Sequence, residues 1–306
     1  MKPTEKHQTI THFNHENHSA SMLCKLFEVS PSGYFFSLKA TSPPRKNRRE
    51  MIATKIKTIF NQHKNRYGRP RICRQLQTEG DPVSEKMVGL LMRFEVLVAR
   101  KKRGFRPCTT QNTARPKYAP NLLKDRPAPV AYNEVVVTDI TYVATKESWL
   151  YLAAVMDLHS KKTKGYEIQK TMHPALIGKA LEKAMKHHPD LTGGIHHSDR
   201  GSQYTNQEYL QQLPNCGLQS SISAKGNCYD NAAMESLCST FKTEAFPDSG
   251  VFENKEAAKQ AIFEYDEGYY HTQRMHSPLN YLTPLAAETG SKIAVKIYPH
   301  LLQQTL

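Results

Sequence analysis

Apolar residues change period along this chain, and that change limits what it can fold into. Between residues 48 and 93 they recur at helical spacing, with Met51, Ile52, Ile56, Ile59 and Phe60 in one run and Met87, Val88, Leu91 and Met92 in another. From residue 134 onward the pattern becomes three strand-like runs, Glu134 to Val143, Trp149 to Leu158 and Lys164 to Lys170, separated by short polar turns. Residues 106–133 lie between the two regimes and carry Pro107, Pro116, Pro120, Pro127 and Pro129 with no strong period, which reads as an extended connector.

Beyond the three runs, helical and strand-like segments alternate. Residues 174–187 are helical by period, 193–198 form a short strand ending at Asp199, and 207–213, 218–224 and 231–246 read as helix, strand and helix. An antiparallel meander followed by alternating helices and strands predicts a mixed α/β sheet with flanking helices. Asn231 is placed to cap the last of these helices. An acidic, aromatic helix over 253–270 is expected to pack on the core, with Tyr269, Tyr270 and Arg274 as candidates for nucleic-acid contact.

The front of the chain reads as all-α. Residues 1–18 are polar and His-rich and read as a frayed, solvated terminus; His12, His15 and His18 lack the cysteine pair that would complete a zinc set. Two short helices flank Glu28-Val29, the second opened by Ser30-Pro31. Thr41 to Arg49 reads as a basic, Pro-rich linker. A helix to about Lys64, a second from about Arg71 to Glu79, the turn Gly80-Asp81-Pro82 and a third helix capped by Ser84 make a helix-turn-helix candidate. The predicted organisation is 1–44 tail and short helical segment, 45–105 basic helix-turn-helix-like domain, 106–133 linker, 134–290 α/β core with a C-terminal helix, and 291–306 tail.

Charge follows the same division. Residues 1–130 hold 26 Lys plus Arg against 9 Asp plus Glu, a net of +17, while residues 131–306 hold 16 against 19, a net of −3. A basic helical arm on a domain with functional carboxylates points to a polyanionic partner such as DNA, although a solvated Lys/Arg surface has the same composition. Arg69, Arg71, Arg93, Arg100, Lys101, Lys102 and Arg103 are the candidate contacts of that arm. Six cysteines without a CxxC pair suggest reduced thiols, and no stretch approaches the roughly 18 apolar residues of a membrane helix. A cytoplasmic protein without a membrane partner is expected.

Three segments of the core each hold one carboxylate in an unusual place: VVTDITYV at 136–143, HHSDRGSQYTN at 196–206 and GNCYDNAAMESLCSTFKTE at 226–244. Asp139 sits inside a β-branched run, where an ionised group is costly to bury without a compensating charge. Asp199 ends a strand before a glycine turn, and Glu235 lies in the first turns of a helix. Taken singly they also read as a solvent-facing strand Asp, a loop Asp and a helix-surface Glu.

Together these segments resemble the DDE core of insertion-sequence transposases of the IS-three group, relatives of retroviral integrases within the ribonuclease H-like superfamily. Asp199 and Glu235 have 35 residues between them, the interval of the DD(35)E pattern. DNAAMES followed by Phe241-Lys242-x-Glu244, His276 to Pro284, RYGxxRI at Arg66 to Ile72 and SPSGYF at Ser30 to Phe35 extend the likeness over residues 20–290. The chain departs from the family at Val136, where Trp is usual, and at Met275 and Pro278-Leu279-Asn280; none of these is one of the carboxylates.

The resemblance implies a transposase of the downstream-frame type whose core cleaves and joins DNA strands with two Mg²⁺ ions, Mn²⁺ serving as a substitute. Asp139 is then the ligand shared by both ions, with Asp199 on one and Glu235 on the other. Hard cations of this kind prefer oxygen ligands, and paired ions suit phosphoryl transfer because each can serve one reacting oxygen. Lys242, seven residues beyond Glu235 on the same helix face, and Arg200 beside Asp199 are candidate DNA contacts, and His197 could orient the ligand. The implied partners are the element's terminal repeats, target DNA, further copies of the chain and the upstream-frame product as fusion or partner, in a bacterial, nucleoid-associated setting. A non-catalytic DNA-binding regulator and a ribonuclease H-type nuclease are the competing readings.

Overall fold

Helices form first along the chain because its front half offers single apolar stripes that must be buried against one another. The computed structural model describes residues 3–15, 18–39, 44–100, 119–224 and 231–290. They divide into two units, Met1–Val98 and Ala99–Leu306.

In the first unit, α1 (Pro3–His15), α2 (Ala20–Leu26) and α3 (Pro31–Lys39) enclose Ile10, Leu23, Cys24 and Tyr34. The frayed terminus expected from composition is therefore a helix. Ile10 is fully buried, and tertiary packing of this kind, more than helix propensity, stabilises short helices. Ser30 Oγ accepts from Gly33 N at 3.1 Å, as its place before Pro31 predicts.

The basic segment assigned to a linker also changes character, since α4 (Pro44–Gln62) starts at Pro44, a residue tolerated in the first turn because it has no N–H to satisfy. With α5 (Arg69–Thr78) and α6 (Glu85–Phe94), α4 buries Ile52, Ile56, Ile59, Phe60, Ile72, Leu76 and Val88. Tyr67 is fully buried between α4 and α5: the His63 ring stacks on it with centroids 3.6 Å apart, and the Arg71 guanidinium lies 5.4 Å from its centroid. The turn from α5 to α6 needs Gly80 at φ +93° and ends on Ser84, whose Oγ accepts from Met87 N at 3.3 Å.

The second unit is a mixed sheet. Strands β1 (Val135–Thr145), β2 (Trp149–Asp157) and β3 (Thr163–Gln169) form the antiparallel meander. After α7 (Pro174–His187) the chain returns as β4 (Ile195–Ser198), parallel to β1, and after α8 (Gln207–Asn215) as β5 (Gln219–Ile222), parallel to β4. The order is β3-β2-β1-β4-β5, and β6 (Val251–Phe252) pairs with the far end of β1.

Helices α7 and α8 seal one sheet face through Val136, Ala153, Val155, Leu176, Ile177, Leu181 and Leu213. Helix α7 sits so close that a Cβ on Gly165 of β3 would lie 2.5 Å from Ala184 N and 2.7 Å from Ala180 O, so only glycine fits there. Val136 fills this core where the family usually has Trp, and Met275 is buried too, so both departures occupy packing positions.

The remaining helices are α9 (Ala232–Glu244), α10 (Lys255–Tyr265) and α11 (Pro284–Thr289). The single helix expected over 253–270 is interrupted: α10 gives way to a π turn at Asp266–Tyr270. Tyr269, Tyr270 and Arg274 are all buried, which removes them as DNA contacts. The Tyr270 hydroxyl donates to Lys161 O at 3.1 Å.

Arg274 fastens α9 from its C-terminal end. Its Nε donates to Glu244 Oε2 and its NH2 to Glu244 Oε1, both at 2.8 Å, while the Tyr265 hydroxyl donates to Glu244 Oε2 at 2.8 Å. Around them Phe241 packs edge-on to Tyr265 at 5.1 Å between centroids. Removing one partner of such a pair leaves a buried, uncompensated charge. Arg274→Ala is therefore expected to lower unfolding free energy by about 3–5 kcal/mol in urea titrations, whereas Glu244→Leu combined with Arg274→Met recovers most of it. A loss under 1 kcal/mol for the single variant would contradict this account.

Candidate metal centre

Sheet register alone places two of the three acids. β1 pairs with β4 as Val135↔Ile195, Val136↔His196 and Val137↔His197, a constant offset of 60 that carries on to Asp139 and Asp199 just past the end of β4. The two carboxylates thus leave the parallel pair at one level. Glu235 comes from elsewhere: it lies in the first turn of α9, which packs on β1, and its side chain is exposed.

Each aspartate is oriented by backbone. Asp139 Oδ1 accepts from Ile140 N at 2.8 Å, and Oδ2 accepts a weak bond from Cys238 Sγ at 3.8 Å. Asp199 Oδ1 accepts from Gly201 N at 2.8 Å, and a Cβ on Gly201 would sit 3.0 Å from that oxygen, which explains the glycine.

Electrostatics mark Asp139. Burial and then the neighbouring Asp199, with a further contribution from Glu235, push its carboxyl up from 3.8 to about 7 against the lowering effects of Ile140 N–H and Cys238. Asp199 is also raised, chiefly by burial. Among the described residues none of the three carboxylates has an ion-pair partner. The ligand oxygens of the three do not all lie within 4.8 Å of one another in this structure, but Asp139 and Asp199 are electrostatically coupled, and with Glu235 they offer oxygen donors alone, the donor set a hard divalent ion prefers.

Several neighbours had no signal of their own in the sequence. Tyr204, buried with its hydroxyl 3.5 Å from Thr138 Oγ1, is held well above its ordinary range by burial and by Asp139 and Asp199, so it stays a neutral O–H. Cys238, three residues beyond Glu235, is kept a thiol by burial and the Asp139 charge. Its helical spacing from Glu235 was the one available clue.

The strand below Asp199 is locked by hydrogen bonds. His197 sits fully buried with Nδ1 2.8 Å from Ser221 Oγ and Nε2 3.1 Å from Ser223 Oγ. Arg200 Nε donates to Ser223 O at 2.8 Å, so the side chain read as a DNA contact also ties the ends of β4 and β5. Lys242 is half-buried on α9, one turn beyond Cys238, and its charge lowers the Cys238 thiol.

The basic candidates of the front half divide. Arg69 is exposed and 3.4 Å from Glu85, Arg71 is half-buried against Tyr67, and Arg93 is exposed in the last turn of α6. Arg100 belongs to the second unit, where NH1 donates to Phe246 O at 3.1 Å and NH2 lies 3.6 Å from Asp248. Lys101, Lys102 and Arg103 fall outside the described residues.

Among the described residues the group whose potential ligand atoms do all lie within 4.8 Å of one another is Asp266, Glu267 and His271. His271 Nε2 accepts from Thr163 N at 3.1 Å, and Nδ1 lies 3.7 Å from Glu267 Oε2. Both ring nitrogens face partners of their own, so this cluster is a packing network of the π turn.

Comparison with known proteins fits this architecture. Residues 129–228 and 216–284 each match a family model described as an integrase core domain, and residues 46–105 match an HTH-like domain. The chain is 39% identical over 264 residues to the 31 kDa protein of insertion element IS600 of Shigella sonnei, covering 86% of this chain and 96% of that protein. It is 41% identical over 237 residues to the transposase for insertion sequence element IS904 of Lactococcus lactis subsp. lactis (strain IL1403), covering 77% and 92%. Transposase InsF for insertion sequence IS3A of Escherichia coli (strain K12) is 32% identical over 282 residues, covering 92% and 95%.

The raised Asp139 has a thermodynamic consequence. A carboxyl whose pKa is higher folded than unfolded binds its proton more tightly in the native state, so stability falls as pH rises from about 4 through about 7. In EDTA at pH 7.5, Asp139→Asn is expected to raise unfolding free energy by roughly 1–3 kcal/mol, a melting increase of several degrees. At pH 4 the gain should vanish; an equal gain at both pH values would point to packing instead of charge.

Proposed function

Because this chain belongs to the insertion-sequence transposases that carry an integrase core, we propose that it cleaves and joins DNA through two divalent cations held by Asp139, Asp199 and Glu235. The carrying observation is the Asp139 carboxyl, enclosed beside Asp199 and pushed up to about 7, with no ion-pair partner among the described residues. Asp139, Asp199 and Glu235 would hold the ions through their carboxylate oxygens. When bound, Mg²⁺ supplies Lewis-acid stabilisation of the charge that develops on the transferring phosphate.

The chain's own groups prepare this arrangement. Ile140 N–H and Cys238 S–H fix the plane of Asp139, and Gly201 N–H fixes Asp199. Lys242 contributes positive charge on the α9 face toward a phosphate. In the first step a water oxygen bonds to phosphorus as the bond to the 3′ oxygen breaks. The freed 3′-hydroxyl then attacks a target phosphodiester, forming a new P–O bond as the target's own P–O3′ bond breaks, its proton passing to solvent while the departing target 3′ oxygen takes one up.

DNA is the partner of both units. In the HTH-like domain, taken as 45–105, α6 is the element for the major groove, with Arg69, Arg71 and Arg93 nearby. The core is taken as 134–290. Joining the paired ends of an element requires more than one copy, so the active form is a dimer or larger on DNA, and the upstream-frame product acts as fusion or partner. Among the described residues no helix is long and apolar enough to cross a membrane.

Full-length protein incubated with end-labelled element DNA and Mg²⁺ should give 3′-end nicks and joined products. Asp199→Asn should bind the same DNA and yield neither, at least 100-fold below wild type. A pure regulator gives no products with either protein. Arg93→Ala should weaken binding with a salt slope shallower by about 1, as expected for one lost phosphate contact; an unchanged slope would remove Arg93 from the interface.

A further inference from the structure

Asn231 immediately precedes α9, four residues before Glu235, where an Asn side chain ordinarily accepts from the first-turn N–H groups. Here it makes no capping bond. Its side chain turns toward β1, and Nδ2 donates to Thr138 O at 3.4 Å, beside Asp139. Because Thr138 presents a carbonyl there, the atom facing it must be the NH₂ group, which fixes Oδ1 as the other atom.

Among the described residues that oxygen is buried and has no hydrogen-bond partner, in a residue only 6% exposed. An enclosed acceptor without a donor carries a real penalty, and such groups in native proteins point to an absent partner. The neighbours of Asn231 narrow its nature. It stands between the strand that bears Asp139 and the helix that bears Glu235, where the acids already repel one another. A neutral amide carbonyl adds coordination to a hard divalent ion without adding to that repulsion, as a further carboxylate would.

We propose that the side-chain carbonyl of Asn231 is a fourth oxygen donor to the cations held by Asp139, Asp199 and Glu235. The assignment rests on the metal reading of those acids. It reaches beyond the capping role that position suggests, and it gives the enclosed, unpaired amide oxygen a partner.

The test is direct binding of Mn²⁺ to the full chain, followed by calorimetry and by the electron paramagnetic resonance signal of free ion. Wild type, Asp139→Asn, Asn231→Ala and Asn231→Asp are compared, with folding checked by circular dichroism. As a donor, Asn231 gives an Ala variant that binds about tenfold more weakly and an Asp variant that binds as tightly as wild type or more so. If Asn231 only clamps α9 through Nδ2, both variants weaken alike, because neither can donate to Thr138 O, and the proposal is overturned. Ala binding within twofold of wild type also overturns it. Should the Ala variant fail to fold, the Asp variant decides, tighter binding supporting the assignment and weaker binding ending it. Unchanged affinity in Asp139→Asn would instead remove the underlying metal reading.

Discussion

Parallel pairing of β1 with β4 forces two acidic groups out at the same level, and their mutual repulsion in a partly closed site is the constraint to which much else answers. Backbone N–H groups of Ile140 and Gly201 hold one oxygen of each aspartate, which limits the ways the pair can swing apart. Around them the described residues place neutral hydrogen-bonding groups, such as the Tyr204 hydroxyl and the Cys238 thiol. The folded state is left with an electrostatic deficit that a bound positive charge can fill, a trade of stability for function common at active sites.

The third acid depends on a different kind of fastening. Glu235 lies at the exposed start of α9, so its place is set by whatever holds the helix. That anchor is at the other end, where Glu244 is gripped by Arg274 and Tyr265 inside an aromatic cluster. One helix thus has a buried ionic end and an open acidic end. The rigid body between them transmits the position of Arg274 to Glu235 across more than two turns.

Much of this was visible in residue order. The meander, α7, α8 and α9 follow from period and turn residues, and the likeness of HSDRGSQY and DNAAMES to a known family singled out Asp139, Asp199 and Glu235. The missed features have in common that their partners lie far away in the chain. Ile10 looks like a lone apolar residue in a polar terminus until Leu23 and Tyr34 close over it. Nothing in residue order joins Arg274, a candidate nucleic-acid contact, to Glu244, because 29 residues separate them. Tyr269 and Tyr270 read as candidate nucleic-acid contacts because the π turn that carries them inward has no distinctive composition. Asn231 matched the rule for a cap, and only the nearness of β1 shows its side chain pointing elsewhere.

The π turn at Asp266–Tyr270 also acts on everything that follows it. His271 N bonds to Asp266 O, five residues back, so the coil takes in one residue more than an α-helical turn closes. Each residue of an α-helix advances the direction of its side chain by about 100°, so that surplus residue resets the azimuth of the segment leading to Arg274. The guanidinium meets Glu244 in this phase. A shortening of the turn by a single residue would aim it elsewhere, and the length of this turn is thereby as tightly specified as any side chain in the core.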